Sequence, residues 1–192
     1  MQTHFIEFKV VGDASSTSIN SIMNRLHGYM RSNGVNLGVG FPEYCLDRLG
    51  TKVRVFGSCN ELQYLLVNDG IKDGVEKSLF MLTVYSPKLV DLESARKVRF
   101  VAARNVVGNI EKELKRKQKR YEKRNNCVMS ESELNNMKMN LLNKIRCLPY
   151  FTRNNNGKTY PIYVEKVVVD ETMPYEFNSH GLGNSGGYVY NF

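Results

Sequence analysis

The three histidines of this 192-residue chain are its side chains best suited to acid–base chemistry. Histidine can accept or donate a proton near neutral pH, because its ordinary pKa is about 6.5. His4 alternates within an N-terminal strand pattern, which indicates a structural or edge-exposed residue. His27 lies in a helical segment, on a polar strip beside an apolar face. His180 precedes a glycine-rich segment, whose backbone amides could approach an anion closely.

Motifs for other chemistries are absent from the sequence. It contains no GxxxxGK[ST], HExxH or GxSxG, and no GxGxxG behind a predicted strand, which excludes most cofactor and metal chemistry. The four cysteines have no CxxC pair and no histidine at zinc-finger spacing, so we expect reduced thiols and no cofactor. They are Cys45, Cys59, Cys127 and Cys147. Without a signal-peptide pattern or an apolar run of membrane length, we expect a soluble, cytoplasmic protein.

Positive charge is concentrated in one segment. Residues 96–124 hold twelve basic and three acidic side chains, whereas the net charge of the whole chain is +8. Residues 110–124 lack glycine and proline and are rich in helix formers, which predicts a helix with one broad basic face. That face consists of Lys112, Lys115, Arg116, Lys119, Arg120 and Lys123. A phosphate backbone is its natural partner; a solvated surface helix is the alternative, and the narrow apolar seam disfavours a membrane surface.

If the basic helix binds RNA, the histidines offer a way of cutting it that needs no metal. The 2′-hydroxyl of RNA can attack its own adjacent phosphate, while one side chain accepts a proton and another donates one to the leaving oxygen. His27 and His180 are the candidates for these two roles. Composition alone supports only RNA binding and leaves the chemistry open.

The first half of the chain alternates predicted strands and helices in the order β-α-β-β-α-β. The predicted strands are residues 3–11, 36–41, 52–57 and 78–85. Gly34 can end the first helix, and residues 58–61 match the capping box of the second. This order is that of the ferredoxin-like unit, which is a scaffold of many RNA-binding proteins. We therefore predict an α+β protein with a ferredoxin-like domain over residues 1–90.

Residues 97–192 are predicted to form a less regular, RNA-binding half. A strand at 97–104 is followed by the basic helix, at about 107–124, and by a second helix, at about 130–146, which opens with a capping box at residues 130–133. Two helices in tandem predict a helical arm or hairpin. Short strands at 149–153 and 159–169 then flank an Asn-rich turn, and a glycine-rich segment ends the sequence.

Four segments, in chain order, carry a resemblance to a known family. They are Arg25-Leu26-His27 with Leu37-Gly38-Val39-Gly40-Phe41-Pro42; Val101-Ala102-Ala103-Arg104-Asn105 with the basic helix; Pro149-Tyr150-Phe151-Thr152 with Gly157-Lys158-Thr159-Tyr160; and Gly181-Leu182 through Phe192. Together they make the chain similar to the CRISPR-associated pre-crRNA endoribonucleases of the type I-F branch, which cut repeat RNA and hold its stem-loop.

The resemblance implies cleavage of CRISPR repeat RNA at the base of its stem-loop, leaving a 2′,3′-cyclic phosphate without a metal. It implies that His27 is catalytic and that Tyr160 stacks on the base at the foot of the stem. The basic helix would follow the deep, narrow major groove of the stem. The groove-binding residues would be Lys112, Lys115, Arg116, Lys119, Arg120, Lys123 and Arg124. The expected partners are the crRNA hairpin and the other subunits of the type I-F effector complex.

Three positions differ from the pattern of the family. Where the family commonly has a tyrosine before the terminal Gly-Leu, this chain has His180, our second catalytic candidate. The serine that holds the ribose in the family falls in a turn of three asparagines here, and we assign Asn155 to the RNA. Arg99 and Arg104 are the nearest candidates for the residues that read bases, so we expect a different preference within the stem.

Two other functions compete with this prediction. A non-catalytic subunit of the same fold would bind the RNA hairpin tightly without cutting it. A DNA-binding regulator would need duplex DNA to compete with hairpin RNA, and nothing in the sequence reads as a helix-turn-helix recognition element.

Overall fold

A computed structural model describes residues 4–11, 16–103, 110–142, 148–155, 157–169 and 176–192. These residues form an α+β fold with five helices and two antiparallel sheets. None of the helices found there has the length and apolar character needed to cross a membrane. The chain divides into two compact units, residues 1–102 with 149–192, and residues 103–148.

The first sheet lies within residues 4–89. Its strands run in the spatial order β2-β3-β1-β4, and β5 pairs with β1 beside β4. The bounds are β1 (His4–Val10), β2 (Gly38–Gly40), β3 (Lys52–Gly57), β4 (Phe80–Leu82) and β5 (Lys88–Leu89). The first three confirm predicted strands. The strand predicted at 78–85 was wrong in length, because regular pairing ends after Leu82, where the N–H groups of Thr83 and Val84 both donate to the Glu7 carbonyl.

Helix α1 (Ser16–Asn33) buries the apolar face that its sequence predicts. Apolar side chains at steps of three and four residues share one side of a helix, and here each of them is buried. They are Ile19, Ile22, Met23, Leu26 and Met30. The helix ends at Gly34, whose φ of 63° lies in the left-handed region.

Two shorter helices follow β3. The capping box predicted for α2 (Cys59–Val67) is confirmed, since Ser58 Oγ accepts from the Glu61 N–H and the Ser58 N–H donates to Glu61 Oε2. Helix α3 (Asp69–Glu76) was not predicted, because its two glycines disfavour a helix. Gly74 is required by packing: a Cβ there would collide with the Phe80 ring.

The second sheet lies within residues 96–191 and has the order β7-β8-β6-β9. Its strands are β6 (Arg96–Ala102), β7 (Tyr150–Asn155), β8 (Lys158–Val168) and β9 (Val189–Asn191). The first three confirm predicted strands, whereas β9 was not predicted. Both sheets share one hydrophobic core, in which Phe41 meets Phe100 with ring centroids 5.3 Å apart.

The second unit contains the predicted pair of helices, α4 (Ile110–Asn125) and α5 (Glu131–Leu142). The capping box of α5 is confirmed: the Ser130 N–H donates to Glu133 Oε2 at 2.9 Å, and the Glu133 N–H donates to Ser130 Oγ at 3.3 Å. Tyr121 joins the two helices, because its hydroxyl donates to Glu133 Oε1 at 2.6 Å.

Candidate active site and basic surface

The polar strip of α1 lies against strand β7 and positions His27. Asn20 Oδ1 accepts a hydrogen bond from the Thr152 N–H at 2.6 Å, and Asn24 Nδ2 donates to the Thr152 carbonyl at 3.4 Å. Two asparagines one helical turn apart therefore bind both backbone groups of a single residue. Farther along the same strip, His27 is buried with 9% of its surface exposed.

On another side, α1 is anchored to α3. The guanidinium of Arg25 donates to the Gly70 carbonyl and forms an ion pair with Asp73, each at 2.8 Å. Because Arg25 precedes His27 by only two residues, this contact limits rotation of the helix about its axis. The orientation of the His27 side chain is thus determined by contacts on both sides of α1.

The glycine-rich segment holds His180 beside β2. Asn178 Oδ1 accepts from the backbone N–H groups of His180 and Leu182, at 2.9 and 3.1 Å. The Val39 N–H donates to the Gly181 carbonyl at 2.8 Å. Gly181 has a φ of 72°, and a Cβ there would collide with Val39 Cγ2, so only glycine fits this close approach.

The backbone amides of this segment do not form an anion site. The sequence suggested that amides near His180 could approach an anion, but they donate to protein oxygens instead. The Gly183 N–H donates to the Phe100 carbonyl and the Gly187 N–H to the Glu176 carbonyl, both at 2.8 Å. The amides of these glycines therefore build the segment itself.

His27 and His180 stack on each other. Their ring centroids are 4.4 Å apart, with 23° between the ring planes, and the Phe151 ring meets His180 at 5.9 Å in an edge arrangement. His27 Nδ1 lies 2.5 Å from the Ser179 carbonyl oxygen. A carbonyl can only accept, so Nδ1 carries the proton and Nε2 keeps a lone pair.

Two nitrogens of the histidine pair are buried without a hydrogen-bond partner among the described residues, namely His27 Nε2 and His180 Nδ1. Buried polar atoms are usually paired, and exceptions often have a functional reason. The stacked rings therefore hold two buried nitrogens with unused hydrogen-bonding capacity, of which His27 Nε2 is an acceptor.

Arg153 completes the histidine site. Its Nη1 lies 3.3 Å from His180 Nε2, and its guanidinium carbon lies 5.9 Å from the centre of the Tyr160 ring. Arg153 on β7 and Tyr160 on β8 are paired directly across the hairpin. One cation therefore connects the histidine pair with Tyr160, for which the family resemblance implies base stacking.

Both histidines have lowered pKa values. For His27 the main cause is burial, with the nearby charges of Arg153 and Arg31 acting in the same direction, against the hydrogen bond to Ser179. Burial lowers the pKa of His180 to about 4, helped by the charges of His27 and Arg153. Both rings are therefore neutral at pH 7, because each pKa lies below its ordinary value.

The predicted basic face of α4 is solvent-exposed along its whole length. All seven predicted groove-binding residues are exposed, and Arg116 pairs with Glu113 at 2.7 Å. They are Lys112, Lys115, Arg116, Lys119, Arg120, Lys123 and Arg124. The other side of α4, which includes Leu114, Gln118 and Tyr121, is half-buried. The helix thus covers its apolar side and leaves the cations accessible.

The remaining predicted RNA contacts lie in different places. Arg99 on β6 is half-buried, and its Nε has no hydrogen-bond partner within the described ranges. Tyr160 on β8 is 37% exposed. Asn155 ends β7, where its backbone pairs with Lys158. Arg104 lies outside the described residues.

Three residues of the site were missed from the sequence: Arg153, Asn178 and Ser179. Ser179 acts through its backbone carbonyl, and Asn178 through hydrogen bonds to its own segment, so neither gives a sequence signal. The only available signal for Arg153 was its register opposite Tyr160 in the hairpin around Gly157.

Comparison with known proteins identifies the family. No curated protein matches the chain. The model of the family described as CRISPR-associated protein (Cas_Csy4) matches residues 5–189, a range that includes the histidine pair, Arg153 and the whole of α4. The match confirms the resemblance found in the sequence: the chain belongs to the type I-F CRISPR pre-crRNA endoribonucleases, the family that processes CRISPR repeat RNA.

Proposed function

We propose that this chain cuts CRISPR repeat RNA at the base of its stem-loop by 2′-hydroxyl attack without a metal, with His27 and His180 as catalytic residues. The observation that carries the proposal is the stacked histidine pair with its two unpartnered nitrogens. Among the residues that the structure describes, no three histidine, cysteine or carboxylate side chains come together as metal ligands. In this proposal, cleavage relies on side chains and the RNA itself.

His27 is the general base in this proposal. Its Nδ1–H is held by the Ser179 carbonyl, so Nε2 accepts the proton of the attacking 2′-hydroxyl. The lowered pKa keeps this nitrogen unprotonated at neutral pH. The 2′-oxygen forms a bond to phosphorus as the bond from phosphorus to the 5′-oxygen breaks. The products are a 2′,3′-cyclic phosphate and a 5′-hydroxyl.

His180 is the hydrogen-bond donor to the leaving 5′-oxygen. With a pKa of about 4 it is a neutral imidazole at pH 7, and a neutral imidazole N–H can stabilise developing negative charge on oxygen. Its unpartnered nitrogen, Nδ1, is the donor. The 5′-oxygen finally takes a proton from water, and His27 returns its proton to water. Because both nitrogens are shielded in the RNA-free chain, binding of RNA must displace the atoms that cover them.

RNA binding is assigned to α4 and to the second sheet. The exposed cations of α4 would follow the phosphates of the stem, and Tyr160 would stack on the base at its foot, a contact worth about 1–3 kcal/mol. Arg99 and Arg104 would read stem bases, and Asn155 would contact the RNA near the cut. The hairpin product would stay bound, within a type I-F effector complex in the cytoplasm.

The architecture proposed for this function has a ferredoxin-like domain over residues 1–90 and an RNA-binding half over 97–192. The antiparallel order β2-β3-β1-β4, together with the chain order of strands and helices, supports the first part. The division is supported by the two sheets, which lie within residues 4–89 and 96–191. Within the compact unit, the second half supplies β6 to β9 and the first half supplies α1.

The test is incubation of the purified protein with its cognate repeat RNA in EDTA, beside His27→Ala. We expect one 3′ end carrying a cyclic phosphate with the wild-type protein, no product with the variant, and similar RNA affinity for both. A product that needs added divalent metal would contradict the mechanism. Tight hairpin binding without any product would select the non-catalytic alternative.

A further inference from the structure

We propose that Arg153 is a positioning residue that fixes the tautomer of His180, so that its proton is held on Nδ1, the nitrogen that donates to the leaving oxygen in the proposed function. The inference rests on the proposed function for its catalytic meaning, but the tautomer itself is a property of the RNA-free protein. It follows from the contact between Arg153 Nη1 and His180 Nε2, which are 3.3 Å apart.

The direction of this hydrogen bond is determined by chemistry. A guanidinium has five N–H donors and no acceptor, and it stays charged at every pH of interest. His180 Nε2 must therefore accept, and in the neutral ring the proton then resides on Nδ1. The other ring contacts of His180 are a stack with His27 and an edge contact with Phe151, and neither determines which nitrogen is protonated.

The guanidinium is held in place by its neighbours on the sheet. Thr152, the preceding residue, has both backbone groups bound by α1, through Asn20 and Asn24. Across the hairpin, the Tyr160 ring lies 5.9 Å from the Arg153 guanidinium carbon. The backbone next to Arg153 is thus fixed by α1, and its guanidinium lies near the Tyr160 ring. Both contacts limit the orientations available to the Arg153 side chain.

The consequence for the reaction is a stronger donor at Nδ1. A cation bound to Nε2 withdraws electron density from the imidazole and opposes protonation of the ring, so His180 stays neutral and its N–H becomes more acidic. Without Arg153, neither ring nitrogen of His180 would have a hydrogen-bond partner among the described residues. The proton could then occupy Nε2 and leave Nδ1 as an acceptor, which cannot stabilise a leaving oxygen.

The test is nuclear magnetic resonance of the RNA-free protein with ¹⁵N-labelled histidine at pH 7, with the His180 signals assigned by their loss in His180→Phe. We expect His180 to have a protonated Nδ1 and an unprotonated Nε2. In Arg153→Gln we expect the tautomer populations to shift towards a protonated Nε2. Arg153→Lys, which keeps a cationic donor, should retain the wild-type tautomer.

Cleavage rates complete the test. Arg153→Gln should lower the single-turnover rate about 10²-fold, as removal of a preorganised electrostatic contact does, and Arg153→Lys should recover part of it. Arg48→Gln is the matched control, because it removes one arginine from the exposed loop between β2 and β3. A protonated Nε2 in the wild-type spectrum would overturn the inference even if a variant failed to fold. A wild-type protein that does not cut RNA would instead refute the proposed function and leave the tautomer result standing.

Discussion

At the level of single residues, the site depends on which nitrogen of each histidine carries the proton. The Ser179 carbonyl holds the proton of His27 on Nδ1, and the stacked ring of His180 covers the imidazole. Burial keeps both rings neutral, which leaves His27 Nε2 unprotonated at physiological pH. The two side chains thus differ in their hydrogen-bond partners, although their residue type is the same, and the proposed function gives them different roles.

The pKa of His27 leads to a prediction about pH. A general base is active only when it is unprotonated, and burial lowers the His27 pKa below 6.5. We expect kcat/KM, measured in EDTA, to fall on acidification as His27 takes up a proton, with a midpoint below pH 6.5. A midpoint clearly above 6.5 would show that the base is a different group or that its surroundings favour the charged form.

At the level of elements, the docking of α1 on β7 brings the helix that carries His27 to the hairpin. Strand β7 lies at the edge of the sheet that the described residues form, and two asparagine side chains of α1 bind the N–H and the carbonyl of Thr152 there. The same contact places Arg153, the next residue of β7, near the histidine pair. The part of the polar strip that contains Asn20 and Asn24 therefore docks α1 onto β7.

Asn20 gives a test of this docking. Asn20→Ala removes the acceptor of the Thr152 N–H and should lower the free energy of unfolding by about 1–2 kcal/mol, because a part-buried donor loses its partner. We expect the single-turnover cleavage rate to fall more than RNA affinity, since Arg153 loses its fixed backbone position. Asn20→Asp, which keeps an oxygen acceptor, is the matched control. Wild-type cleavage by Asn20→Ala would show that the docking contact is unnecessary.

Helix α4 gives a test of the electrostatic contact with RNA. Arg120 is exposed on the basic face, and its reversal to Glu should weaken binding of repeat RNA and lower the slope of log Kd against log salt by about one. Lys138→Glu, on the exposed side of α5, is the control with the same charge change and should have a much smaller effect. Binding is measured in the His27→Ala background to prevent cleavage. Equal losses for both variants would favour a general charge effect over a groove-binding face.

At the level of the whole molecule, charge and chemistry belong to different parts of the chain. Residues 96–124 carry a net charge of +9 and the rest of the chain −1. The histidine pair lies in the unit of residues 1–102 and 149–192, while the α4 face belongs to residues 103–148. RNA affinity and cleavage rate should therefore respond to different substitutions. Arg120→Glu should mainly weaken RNA binding, and Asn20→Ala should mainly lower the cleavage rate.

The sequence predicted the periodic elements better than the site. The apolar face of α1, both capping boxes and the exposed cations of α4 depend on local spacing, so they were predictable. Helix α3 was missed because its two glycines disfavour a helix, although Gly74 is needed for packing against Phe80. Strand β9 was missed because it has only three residues and follows a glycine-rich run.

The histidine stack could not have been predicted from spacing alone. His27 and His180 are separated by most of the chain. Their contact depends on backbone hydrogen bonds of the glycine-rich segment, and such bonds give no distinctive signal in the sequence. Arg153 was missed for a related reason, since a single arginine in a hairpin has no distinctive pattern. Both histidines were candidates individually, but their geometry required the tertiary structure.

The most direct test of the central claim compares two repeat RNAs, one normal and one with sulfur in place of the leaving 5′-oxygen. A sulfur leaving group needs little help from a hydrogen-bond donor, whereas the attacking 2′-hydroxyl still needs a base. We predict that His180→Ala cuts the sulfur substrate at nearly the wild-type rate but the normal RNA slowly, and that His27→Ala cuts neither. Equal impairment of His180→Ala on both RNAs, or rescue of His27→Ala by sulfur, would contradict the assignment of the two histidines.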